Sequence, residues 1–140
     1  MRELDELRSL LKVSTAKYDK QRQALVALVQ QENALRQELS RLSGLNEMPE
    51  GSDNEISNMR AIGADLRWRG WLGRAKAELN VQLARILAAK ENEQLLVRQA
   101  FGKVSALEQL LSDTENKHRK KRAKGALSQA IDQSVQRQGL

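Results

Sequence analysis

The sequence contains no cysteine, one histidine, one proline, two tryptophans, one tyrosine and one phenylalanine among 140 residues. Without cysteine there is no disulfide and no thiolate metal site. The single histidine, His118, sits inside a run of basic residues. There is no histidine–acid metal spacing, no glycine-rich phosphate loop and no nucleophile beside a base. Acid pairs such as Glu91 and Glu93 do not face each other on a helix. These absences argue against catalysis, a small-molecule substrate, a metal and any cofactor. The longest apolar run, Ala24 to Val29, is six residues, against the roughly 20 needed to span a bilayer. The opening Met1-Arg2-Glu3-Leu4-Asp5-Glu6 is too charged for a secretory signal. The expected location is cytoplasmic.

What the sequence does hold is helix-forming residues: Ala, Leu, Gln, Glu, Lys and Arg dominate, and 30% of residues are charged. From Leu4 to Leu42 the 4-3 spacing of a coiled-coil seam is unbroken. It passes through Leu4, Leu7, Leu11, Ser14, Tyr18, Gln21, Leu25, Leu28, Glu32, Leu35, Leu39 and Leu42. Such a repeat makes a narrow stripe that needs a partner helix along its length. The expected fold is all-α, a two-helix antiparallel coiled-coil hairpin with a longer second helix, lacking a deep core or enclosed pocket.

The boundaries follow from turn chemistry. A first helix over 1–43 ends where Gly44 can adopt a left-handed cap, with Leu45 folding back on Leu39. Residues 44–53, with Pro49, Gly44 and Gly51, form the turn. Ser52 and Glu55 offer a capping box that opens a second helix over 54–124. In the tail, 125–140, only Leu127, Ile131 and Val135 recur at helical spacing, which reads as a weak helix or a disordered, frayed end.

The second helix carries apolar residues at Ile56, Met59, Ile62 and Leu66, then a regular seam at Leu79, Leu83, Ile86, Lys90, Glu93, Val97, Ala100, Val104, Leu107 and Leu111. Between Leu66 and Leu79 the phase slips, and Gly63, Gly70 and Gly73 weaken the helix by roughly 1 kcal/mol each against alanine. Pairing the helices about the bend puts Leu25 near Leu72, Tyr18 near Leu79 and Leu4 near Glu93. That leaves the seam from Val97 to Leu111 as an overhang with no partner in the chain. The polar seam positions Ser14, Gln21, Glu32, Lys90 and Glu93 are expected to fix register. Pairing between chains remains open beside the intramolecular hairpin, and the expectation is a monomer or weak self-association.

Charge is uneven. Residues 44–58 hold four acids and no base, whereas 112–140 hold seven bases and three acids. The run Lys117, His118, Arg119, Lys120, Lys121, Arg122 and Lys124 suits an acidic partner or, as a lesser alternative, nucleic-acid phosphates. No aromatic residues alternate with it, so base stacking has no support. Trp68 and Trp71 lie close together with Leu72 and Ala75, ringed by Arg67, Arg69 and Arg74. Tryptophan and arginine are over-represented at binding hot spots, which points to a docking patch. The alternative is that the tryptophans cover a groove where the glycines let the backbones close up.

The stretch Arg67-Trp68-Arg69-Gly70-Trp71-Leu72, followed by Ala100-Phe101-Gly102-Lys103-Val104 and Ala106-Leu107, resembles FliJ chains of the flagellar export apparatus, in particular alphaproteobacterial ones. The basic hairpin is also similar to YscO, the counterpart in type III secretion injectisomes. The resemblance implies a stalk that binds a hexameric export ATPase and the export-gate membrane protein, peripheral to a membrane export apparatus. It would place the ATPase contact on the open end of the hairpin and the overhang, through Val97, Phe101, Val104 and Lys117 to Lys124. The Trp68–Ala75 patch is where a gate contact would lie. A coiled-coil export chaperone and a basic nucleic-acid-binding helix are the other readings.

Overall fold

The computed structural model describes residues 2–45 and 55–139, with side chains from residue 61 onward in the second stretch. It is an antiparallel coiled-coil hairpin of two helices, α1 (Arg2–Leu45) and α2 (Glu55–Gln138). The second is much the longer, 84 residues against 44. Glu3 and Asp5 in the first turn of α1, and Arg137 in the last turn of α2, have the signs that favour each helix dipole. No described glycine has a positive φ. Gly44 is therefore helical, not a left-handed cap, and α1 runs on to Leu45. The capping box at Ser52 lies outside the described residues. At the other end α2 continues through Gly125 to Gln138, so the stretch expected to be a weak or frayed tail is part of the second helix.

By its internal contacts the chain forms two units, 1–21 with 97–140 and 22–96. In the first, Leu4 and Leu7 of α1 and Ala100, Val104 and Thr114 of α2 are buried. Arg8 donates to Glu115 at 3.4 Å, and the Tyr18 and Phe101 rings meet with centroids 5.8 Å apart. Thr114 meets its buried hydroxyl's need locally, donating to the Leu110 carbonyl at 2.8 Å. In the second unit the buried side chains are Glu32, Leu42, Leu72 and Leu83. Lys90 donates to Glu32 at 2.8 Å across the helices, and Arg36 donates to the other carboxylate oxygen from the same helix. Lys90 above all, with Arg36, holds the Glu32 carboxyl below its ordinary pKa against the opposing effect of burial.

All twelve α1 seam positions are buried or half-buried, as are the ten α2 positions from Leu79 to Leu111. The register, however, differs from the expectation. Tyr18 meets Phe101 where Leu79 was expected, 22 positions (101 against 79) along α2. The segment from Val97 to Leu111 is therefore covered by the first 21 residues of α1 and is not an overhang. The physical reason is that sliding a coiled coil by about three heptads preserves its apolar overlap. Polar positions break the tie. The expected register would set Glu32 against Asp65, whereas the observed one joins it to Lys90.

Candidate functional site

With α1 paired to the later part of α2, two stretches of α2 are left exposed. From Ala61 to Trp71 every side chain is exposed, except that Gly70 is half-buried, and from Arg119 to Gly139 every residue is exposed.

In the earlier stretch Trp68 and Trp71 are 42% and 48% exposed and stack with ring centroids 5.1 Å apart. Positions three apart lie on neighbouring parts of a helix surface, which is why two tryptophans at this spacing can cover each other. Leu72, at 2% exposure, is among the most fully buried of the described side chains. Ala75 is half-buried. Leu72 is thus buried while the tryptophans beside it remain surface. The glycines do not bring backbones together: a Cβ at Gly63 or Gly73 would meet no atom within 4 Å, and at Gly70 only the Arg74 guanidinium at 3.6 Å. Arg69 pairs with Asp65 at 3.7 Å.

The signal that places Trp68 was present in the spacing. The seam runs back from Ala75 through Leu72 and Trp68 to Asp65 and Ala61 at 4-3 intervals, and joins the later seam by two successive steps of four, Ala75 to Leu79 to Leu83. The expected phase slip is thus present, in the two steps of four about Leu79, while Leu66 and Ile62 lie off the stripe. Those two are 65% and 59% exposed, to the side of the stripe.

The remaining candidate residues divide between surface and seam. Val97 is half-buried and Val104 buried, so both belong to the hairpin. Phe101 lies at the seam margin, largely exposed but with its ring against Tyr18. Lys117, Arg119, Lys120, Lys121, Arg122 and Lys124 are all exposed and surround α2 on every side, with His118 half-buried between them. Among the described residues, no group of three His, Asp or Glu could hold a metal ion, and no helix is long and apolar enough to cross a membrane. The chain matches no family model, no characterised protein and no solved structure.

Proposed function

We propose that the chain is a non-enzymatic stalk or export-chaperone subunit of a flagellar or type III protein export apparatus, as the resemblance to FliJ and YscO chains implies. The observation that supports this reading best is the antiparallel hairpin whose second helix is 84 residues against 44 for the first. A helix pair of this kind offers length, and the second helix leaves a long exposed stretch from Arg119 to Gly139. In this reading the partners are a hexameric export ATPase and an export-gate membrane protein. The chain works in the cytoplasm, peripheral to the membrane apparatus. The basic stretch of α2 from Lys117 to Lys124 contacts the ATPase ring, a role in which Val97 and Val104 serve only as hairpin core. The tryptophan patch docks the second partner.

The test is hydrolysis by the export ATPase of the same organism, measured with and without the purified chain. The expected result is stimulation that saturates near one chain per hexamer. It should be lost in the Lys120→Glu/Lys121→Glu/Arg122→Glu variant, which reverses charge at three exposed positions. Unchanged hydrolysis at a stoichiometric excess of wild-type protein would remove the stalk reading. A coiled-coil substrate chaperone is favoured by one separate observation, the exposed tryptophan pair. Capture of filament or hook-associated proteins without the ATPase would select it.

A further inference from the structure

The face of α2 that α1 covers does not end where the cover ends. Ala61, Asp65, Trp68 and Leu72 carry a 4-3 spacing back from Ala75, which joins the covered seam through one extra step of four at Leu79, and Ala61, Asp65 and Trp68 are exposed. The same stripe is thus seam in one part of the helix and open surface in the next. Cations line it on both sides. Arg69 and Lys76, seven residues apart, occupy one edge. An open groove there is lined by Arg69, Leu72, Gly73 and Lys76. On the other edge Trp71 is backed by Arg67 and Arg74, also seven apart. Residues 61–76 hold four bases and one acid, Asp65, which is already paired to Arg69.

We infer that this face takes one helix of a partner protein, aliphatic along its centre and lined with Glu or Asp along its edges, as a continuation of the α1–α2 seam. Two features carry the choice of occupant. Continuity with an existing helix–helix interface fits a helix in the width and spacing of the stripe, since knobs-into-holes packing has a fixed period. Cations on both edges fit acidic flanks, because charges beside a coiled-coil seam set which partner is accepted. The stacked tryptophans supply the rigid, amphipathic anchor typical of interface hot spots. The inference rests on reading Trp68–Ala75 as a docking patch and adds the chemistry of what docks.

The two tryptophans are the only ones in the chain, so intrinsic fluorescence reports this face alone. Two designed helical peptides of about three heptads, with identical leucine seams and no aromatic residues, would be titrated into the full-length protein. One has glutamates along its edges and the other lysines. The expected result is a saturable shift of emission to shorter wavelength with the glutamate-edged peptide, weakening as salt rises, and none with the lysine-edged one. Arg69→Glu/Lys76→Glu, checked for unchanged helicity, should bind the acidic peptide about tenfold more weakly and accept the basic one. The inference is overturned if the acidic peptide produces no shift or if both peptides act equally. It is also overturned if only anionic vesicles act, or if the protein's own concentration alone produces the shift, the mark of a second copy as occupant. Peptide binding and ATPase stimulation are independent readouts. Stimulation without acidic-peptide binding removes this inference alone, and the converse removes the stalk reading alone.

Discussion

Glu32 shows how single residues decide what a repeating seam leaves undecided. Its carboxylate is buried, bridged by Lys90 from the facing helix and by Arg36 from its own. Because its folded pKa is lowered, its contribution to stability is present above the ordinary carboxylate value and is lost as pH falls through the folded value. Acid titration of thermal stability should therefore show a steeper loss in the wild type than in Glu32→Gln. Removing one partner of a buried pair is worse than removing both. Lys90→Met should destabilise the hairpin, whereas Glu32→Leu/Lys90→Leu should recover or exceed wild-type melting temperature. The cost of the double change falls on specificity, since nothing polar then opposes sliding. The glycines make a separate case. With open space around the added methyl group at Gly63 and Gly73, each change to alanine should stabilise by about 0.5–1 kcal/mol in denaturant unfolding. Destabilisation at either position would show that a close contact exists there after all.

Among the elements, the covered face of α1 was legible in the sequence, though not its end at Leu45, because one apolar stripe at 4-3 spacing, read from Leu4 to Leu42, allows only one helix face to be covered. The face of α2 from Leu79 to Leu111 was legible for the same reason. What the repeat could not provide was the register. Periodicity is unchanged by sliding through whole heptads, and the offset became readable only when Glu32 and Lys90 were considered as partners. The candidate site was legible in part. Composition singled out Trp68, Trp71 and the basic run, but Leu72 had to be placed by following the seam through Ala75. Leu66 and Ile62 hid that path because they are apolar yet exposed and off the stripe, and the two steps of four about Leu79 shift its phase. The contrast between neighbours is testable. Leu72→Ala should cost about 2–5 kcal/mol, the range for emptying a packed leucine site. Trp71→Ala, which removes a half-exposed ring, should change stability far less. Equal losses would mean that the tryptophan pair is part of the core.

For the whole molecule the central question is which residues of the two helices lie side by side, since the pairing determines which surfaces are left for partners. Gln31, Ala34 and Leu35 of α1 line one open groove with Gln82, Arg85 and Ile86 of α2. Register by the bend alone would instead have set Ala34 beside Gly63, 22 residues (85 against 63) or about 33 Å away along the helix axis. The chain has no cysteine of its own, so pairs can be introduced without background. The direct measurement is cross-linking with a short bismaleimide at low protein concentration, comparing Ala34→Cys/Arg85→Cys with Ala34→Cys/Gly63→Cys. The account predicts rapid intramolecular linkage in the first variant, seen as a faster-migrating monomer, and none in the second. Linkage through position 63 in place of 85, or products formed only between chains, would contradict it.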